Sequence, residues 1–434
     1  MRRLIKINSR FRYICYLLFI FSAFPSYGEF ASNTHIDPLG IEYQSDINVE
    51  YGSNDNIYYQ HDDNIESSDY YSIKPEFSMA GQHDTKQFYI FYQGDYRSYD
   101  NQDLGDNDYD DHMLFANFKW QMGIRHRIDL TGMYNLGHEA RGTGVTQGFY
   151  FNRNPSGDEN QAVFSDFNVD GNVNNKSSNI STKYIYGAEK AKGNLIFEYQ
   201  RNELSYDLES DYTDLFKKYL KNEEFVETRW IFDFRHQVTD RSRFDYIFMY
   251  KDFDYLDNER DNQQYIAEVS YVGQLTGKSK VEASVYYLDN ELSERADKSL
   301  NWYFMYQWKP VKHSRFELKS LSEVKEADNT GDSVHSYTNS LEWEHEFLGH
   351  ITTNIMYTRI HHTYEIKDNE ETYDTLMMSA RYLFRKDIEF TLSYTYSLYS
   401  SDDDGDPVFI IDKEYERNLG YKQNIISFGI KVGI

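Results

Sequence analysis

The chain is poor in three things. Its 434 residues contain one cysteine, Cys15, so no disulfide can form within it. No stretch beyond the N-terminus offers the run of about 18 apolar residues that a membrane-spanning helix needs. Cations are scarce, with 45 Lys and Arg against 71 Asp and Glu, for a formal net charge of −26. Each shortage excludes a class: a disulfide-stapled scaffold, a helical membrane protein, and a nucleic-acid binder, since phosphate recognition wants a basic patch. Hydrophobic residues reach 40% and mean hydropathy is −0.76, which is lean for the cores of a soluble helical or α/β protein of this length. Disorder is excluded from the other side, by 41 Tyr and 29 Phe. What remains is an aromatic-rich, polar, all-β chain.

The N-terminus has the three parts of a secretory signal. Arg2, Arg3, Lys6, Arg10 and Arg12 form a basic region, Ile14 to Phe24 is apolar, and Ser26-Tyr27-Gly28 supplies small residues before a cleavage point. About 11 apolar residues are too few for an anchor, and Arg12-Tyr13-Ile14 before Cys15 is not a lipid-attachment motif. Removing residues 1–28 leaves 40 cations against 71 anions, a net −31, and no thiol, although the chain enters an oxidising compartment. The expected organisation is a signal peptide at 1–28, a short periplasmic lead at 29–40, and one domain over 41–434.

Within that domain apolar and polar residues alternate. Ile41, Tyr43, Ile47, Val49 and Tyr51 interleave with Glu42, Gln44, Asp46, Asn48 and Glu50; Leu300, Trp302, Phe304, Tyr306 and Trp308 interleave with Asn301, Tyr303, Met305, Gln307 and Lys309. Ladders of about ten residues with one apolar and one polar face, separated by turns, are the signature of a transmembrane β-barrel. Eighteen segments have this pattern: 41–51, 70–80, 86–98, 111–122, 127–137, 178–187, 192–203, 226–238, 243–254, 262–275, 280–289, 298–309, 314–325, 335–347, 351–363, 373–384, 388–398 and 422–434. The expected fold is an antiparallel up-and-down barrel of about 18 strands, within 16 to 20.

Connection lengths alternate as well. Those after even segments are short, such as 239–242 and 276–279, while most after odd segments are long, such as 138–177 and 399–421. Outer-membrane barrels put short turns in the periplasm and long loops outside, so both termini are expected to be periplasmic, in the outer membrane of a Gram-negative bacterium. Trp120, Trp230, Trp302, Trp308 and Trp343 fall on the apolar register near segment ends, where aromatic girdles sit. Pro75 is the discordant residue: mid-segment, without a ladder N–H, it calls for a bulge or a displaced strand.

Several short motifs resemble the β-barrel porin family of outer-membrane proteins associated with exopolysaccharide and capsule export. They are Tyr51-Gly52-Ser53-Asn54-Asp55-Asn56-Ile57, Tyr109-Asp110-Asp111-His112, Gly137-His138-Glu139-Ala140-Arg141-Gly142, and Tyr186-Gly187-Ala188 ahead of Gly193. The resemblance implies a conduit for an exopolysaccharide or capsular chain, with periplasmic and inner-membrane export proteins as partners and outer-membrane lipids and lipopolysaccharide around it. One departure is the last strand, whose alternation of Asn424, Ile426, Phe428, Ile430 and Val432 ends in Ile434 rather than an aromatic residue. Strand number and a charged lumen alone suggest another function, a general or substrate-selective diffusion porin.

The polar register carries mixed charge, including Asp46, Asp129, Glu227, Asp233, Asp245, Lys251, Glu268 and Lys319, so cross-strand pairs are expected. Sixteen to eighteen strands leave room for an aqueous channel; a lumen closed by loops and salt bridges is the competing possibility. Candidates for the solute path are Tyr89, Phe91, Arg97, Arg127, Arg229, Arg235, Tyr286, Tyr303 and Arg381. The aromatic ones would stack on sugar rings or simply pack. The 138–177 connection is long enough to fold inward as a gate, with His138, Glu139, Arg141, Tyr150, Phe151 and Arg153 as its candidate residues. Acidic stretches at Asp100–Asp111, Glu203–Asp214 and Asp402–Asp406 read as solvated loops, or as bridges to lipopolysaccharide through Ca²⁺ or Mg²⁺. No Gly-x-Ser-x-Gly elbow or His-Glu-x-x-His helix occurs, and His361-His362 lacks metal spacing. No enzyme activity, cofactor or metal site is expected.

Overall fold

The computed structural model describes residues 35–36, 40–61, 65–100, 107–149, 166–169, 171–256, 260–292, 296–325, 333–365, 369–402, 408–411, 413–415 and 417–434. The signal-peptide assignment lies outside them. A two-residue strand, β1 (His35–Ile36), pairs with the start of β2. The long strands are β2 (Glu42–Asn54), β3 (Ser68–His83), β4 (Lys86–Tyr99), β5 (Tyr109–Met122), β6 (His126–Glu139), β7 (Val173–Tyr186), β8 (Gly193–Tyr206), β9 (Phe225–Thr239) and β10 (Ser242–Tyr255). They continue as β11 (Asn262–Thr276), β12 (Ser279–Leu292), β13 (Ala296–Val311), β14 (Ser314–Val324), β15 (Val334–Phe347), β16 (Ile351–Tyr364), β17 (Glu370–Arg385), β18 (Ile388–Ser401) and, after a small hairpin, β21 (Tyr421–Gly433). The hairpin is β19 (Val408–Ile410) with β20 (Lys413–Tyr415), and one helix, α1 (Asp214–Glu223), lies between β8 and β9.

Each long strand pairs antiparallel with its neighbours in sequence, and β21 closes the ring onto β2. Setting β1 aside from the 19-stranded sheet leaves an 18-strand barrel. Every expected segment is a strand, generally extended by one to five residues at its ends. Closure removes the sheet edges, which is what lets a β-sheet exist in lipid.

The faces sort as the alternation requires. Val49, Leu130, Ile180, Phe248, Val285 and Leu341 project from the outer wall, and their exposure to lipid is what a membrane barrel needs. Trp120, Trp230, Trp302 and Trp308 are on the same face, and Trp343, on the outward register, donates to Ser314 Oγ at 3.1 Å. The chain is an outer-membrane barrel.

Pro75 needs neither a bulge nor a displaced strand. It stays opposite Ile47 in an unbroken register with β2. Toward β4 the ladder skips Lys74 and Pro75 and resumes at Glu76–Gln93 in the same register. The missing N–H therefore faces a two-residue gap, and the ring fits against Gly94, whose absent Cβ would lie 3.2 Å from Pro75 Cγ.

Candidate functional site

Polar side chains line the lumen and neutralise one another. Arg229 is bidentate to Glu227, two residues along the same strand. Arg235 holds Asp233 at 2.9 Å and Arg243 holds Asp245 at 3.0 Å in the same way. Across strands, Lys74 meets Glu50 at 3.3 Å, Lys183 meets Glu198 at 3.0 Å, and Arg315 meets Glu342 at 2.9 Å. Burial of the wall rises toward the long-loop end, where Asn202, Glu227, Gln264, Asn290, Asn301, His362 and Glu371 are nearly inaccessible. At the short-turn end Arg127, Arg235, Lys280 and Arg381 remain partly open.

The path candidates are therefore distributed around the wall and do not converge on one site. Arg97 is sandwiched at 4.2 Å from the Tyr70 ring and 5.3 Å from that of Tyr109. Arg127 donates to Asn194 Oδ1 at 3.0 Å, and Arg381 stands 3.8 Å from Glu389. Phe91 is buried and Tyr89 packs 6.1 Å from Phe115, centroid to centroid. Tyr286 donates to the Ser322 carbonyl at 2.8 Å, and Tyr303 keeps its ladder place beside Leu321. No continuous aromatic ladder for sugar rings forms among these residues; packing accounts for them.

The long-loop end is capped. After β6, residues 140–149 leave the wall and cross the mouth. Nε2 of Gln147 reaches Oη of Tyr373 on β17 at 3.2 Å, seven strands round the ring from β6 in one direction and ten from β7 in the other. Gln60 Nε2 donates to the Phe149 carbonyl at 3.0 Å and Asn418 N to that of Gly148 at 2.8 Å, so the connections preceding β3 and β21 fasten the same strap. Glu139 anchors its start, its carboxylate accepting from Val145 N at 2.8 Å and Tyr206 Oη at 2.9 Å. Arg141 lies 4.6 Å from the Tyr58 ring, and His138 Nδ1 is 2.7 Å from Asp111 Oδ1. Glu139 and Arg141 thus touch the connections at the mouth, while His138 pairs with β5 within the wall. Tyr150, Phe151 and Arg153 lie outside the described residues.

Two glycines make the strap possible. Gly142 and Gly144 have φ of +81° and +59°, and a Cβ on either would sit 1.8 Å from Tyr58 O or Glu139 Oε2 respectively. Only a residue without a side chain accepts both the backbone and the approach.

Beside the strap is a small apolar core of its own. Phe149, Phe167, Phe216, Leu220, Ile410 and Tyr415 are almost wholly buried, with Phe167 stacked on Phe216 at 5.0 Å and edge-on to Phe149 at 5.7 Å. Each such Phe contributes roughly 1.5–3 kcal/mol by leaving water. Helix α1 supplies one wall. Thr213 caps it by accepting from Phe216 N at 3.2 Å. Arg260 ties its end, donating to Asn222 O at 2.8 Å and meeting Glu223 at 3.1 Å. Burial pushes the Tyr415 phenol above its ordinary range, and its bond to Asp166 at 2.9 Å adds to the shift, so it stays a donor at physiological pH. The helix was legible in Thr213-Asp214 followed by Leu215, Phe216, Tyr219 and Leu220, a cap and an apolar face. Reading Glu203–Asp214 as plain acidic loop missed it. In the other two acidic stretches, residues 101–106 and 403–406 lie outside the described residues.

At the opposite end, five successive strands enclose an open cavity of about 470 Å³. Gln237, Arg243, Gln274, Lys280, Gln307 and Lys309 line it from the lumen face, and Arg241 and Lys278 from the turns. Five cations thus meet there with Asp240, and two of them are paired along their own strands, Arg243 with Asp245 and Lys280 with Glu282.

No family model and no curated protein matches the chain. Among solved structures it is similar to OccK1 (OpdK) of Pseudomonas aeruginosa, at TM-score 0.48 and 9% identity over 90% of this chain and 99% of that one. It is also similar to OccK7 (OpdD) of the same organism, at 0.47 and 10% over 91% and 98%. The FrpB iron transporter of Neisseria meningitidis (F3-3 variant) gives 0.45 and 10% over 90% and 81%. Such distant likenesses add nothing to the fold already traced through its strand pairing.

Proposed function

We propose that the chain is a diffusion channel for small solutes whose outer mouth is closed by the strap between β6 and β7. The short turns and both termini then face the periplasm, as the loop lengths favour. The observation that carries the proposal is the Gln147–Tyr373 bond, which takes the strap across the lumen to the far wall. The strap is held by the Gln60 and Gln147 side-chain bonds, by the Asn418–Gly148 backbone bond and by Val145 and Phe149 in the apolar core, so as a valve it opens by breaking those bonds and withdrawing two apolar side chains. The vestibule at the short-turn end carries five cations, two of them paired with Asp245 and Glu282 and all faced by Asp240, and the residual positive charge favours anionic solutes. The gate residues Glu139 and Arg141 serve the cap and His138 the wall beneath it, and catalysis has no part in this proposal.

Export of an exopolysaccharide or capsular chain, which the family resemblance implies, would need the whole cap displaced for as long as the polymer passed. We therefore rank the solute channel first. Planar-bilayer recordings of wild type and a Gln60→Ala/Gln147→Ala variant test it. Larger or longer openings in the variant are expected; identical traces would remove the valve. Loss of surface polysaccharide on deleting the gene, restored by the wild type, would overturn the ranking.

A further inference from the structure

The ladder between β13 and β14 begins only at Tyr303 with Leu321, although Ser322 to Val324 still pair with β15. At the long-loop end the first turn-ward residues of β13 are thus joined to β14 by side chains, Ser322 Oγ to Asn301 Oδ1 at 2.9 Å and Trp302 Nε1 to Ser320 Oγ at 3.2 Å. Above this splayed seam three segments send one metal-ligating side chain each to a common point. Asp297 comes from β13, His335 from β15, and Glu365 from the connection that follows β16. Their ligand atoms all lie within 4.8 Å of one another. Asp297 is buried, and its Oδ2 stands 3.3 Å from His335 Nε2. The Glu365 backbone N–H bonds the carbonyl of Ser333 at 3.3 Å, which holds the third ligand beside the second.

We propose that Asp297, His335 and Glu365 form a site for a divalent d-block cation, with Zn²⁺ as the reference ion, that clamps the seam. Metal–N and metal–O bonds of about 2.0–2.2 Å in a tetrahedron place ligand atoms about 3.3–3.5 Å apart. The Asp297–His335 separation already has that value, and Glu365, the exposed member, needs a small rotation to join. The imidazole sets the class of ion. Ca²⁺ takes six to eight oxygens and Mg²⁺ keeps its waters, whereas one nitrogen and two carboxylates suit Zn²⁺ and its neighbours. Three protein ligands leave a fourth position for water. The ion would join β13, β15 and the β16–β17 connection where the backbone ladder is missing, and stabilise the folded barrel by mass action. In the sequence the ligands are 38 and 30 residues apart, which is why no motif announced them.

The test uses the mature full-length chain folded in detergent, freed of metal by chelator. Calorimetric titration with Zn²⁺ should show one saturable site, and Co²⁺ should give the visible absorption of low-coordinate nitrogen–oxygen ligation. Mg²⁺ and Ca²⁺ should not compete at similar concentration. Glu365→Gln changes an exposed residue and keeps the fold. It should weaken Zn²⁺ binding by at least the roughly tenfold to hundredfold that loss of even an outer-shell partner causes. His335→Gln should abolish the Co²⁺ spectrum, and both variants should lose the zinc-dependent rise in unfolding temperature. No saturable binding to wild type would overturn the proposal. So would binding unaltered in both variants, which would assign the ion to the acidic loops.

Discussion

Nζ of Lys325 stands 3.0 Å from Nε2 of His362, and the other ring nitrogen faces Glu371 at 3.8 Å. Glu371 in turn accepts from the Tyr373 hydroxyl at 3.1 Å, the same hydroxyl that meets Gln147. A buried line of polar side chains therefore runs from the barrel wall to the strap. An ammonium that donates to Nε2 requires a lone pair there, so the line is directional. His362→Ala leaves Lys325 and Glu371 buried without the ring between them. It is expected to destabilise the barrel by about 1–3 kcal/mol and to loosen the strap. Denaturant unfolding in micelles followed by tryptophan fluorescence would measure the first, and channel open time the second.

Gly142→Ala should act on the cap and spare the barrel. The new methyl meets Tyr58 O at a backbone φ that L-residues avoid. Such strain costs on the order of 1–3 kcal/mol, enough to free the strap while the strand ladders persist. Limited proteolysis should cut the β6–β7 connection faster, with heat-modifiable gel mobility unchanged. Equal protease resistance would show that the close approach to Tyr58 does not constrain the strap.

Charge reversal in the vestibule should change selectivity without changing the fold. Lys280 and Lys309 lie on the lumen face of the cavity near the short-turn rim. Lys280→Glu/Lys309→Glu is expected to move the zero-current potential in a salt gradient toward cation preference, and less so at high salt, where charges are screened. A potential that does not move would place the selective constriction elsewhere.

The lipid face gives a test of register. Ile180 is mid-strand on β7 and projects outward. Arginine there meets hydrocarbon, at a cost of about 2–4 kcal/mol near the bilayer centre. Urea unfolding from phosphocholine vesicles should shift by that amount for Ile180→Arg. Little change would mean that this side chain faces water.

The barrel was legible because lipid outside and water inside impose a period of two on every strand, and closure admits no exception. Even Pro75 fits once the ladder opens toward Gly94. The length of the 138–177 connection made an inward fold legible, but the partners of the cap were not, for a physical reason. Phe149, Phe167, Phe216 and Tyr415 belong to three connections and share no periodicity, so their meeting is a fact of the closed ring. Sequence spacing puts Tyr286 and Tyr303 on the polar register, but could not show that Tyr286 is spent on a hydrogen bond to the Ser322 carbonyl. The likeness of Gly137–Gly142 to a family motif has a local meaning: Glu139, Arg141 and Gly142 are the root of the strap.

The apolar core of the cap draws Ile410 and Tyr415 from the connection between the last two strands and Phe149 from the connection after the fifth. Most of that core comes from residues 145–255, and closure of β21 onto β2 is what brings Ile410 and Tyr415 onto it. Completion of the cap is therefore coupled to closure of the ring. A chain truncated before residue 421 is expected to lose the β18–β21 and β2–β21 ladders and, with them, the seat of Ile410 and Tyr415, so the cap registers whether the wall beneath it is complete.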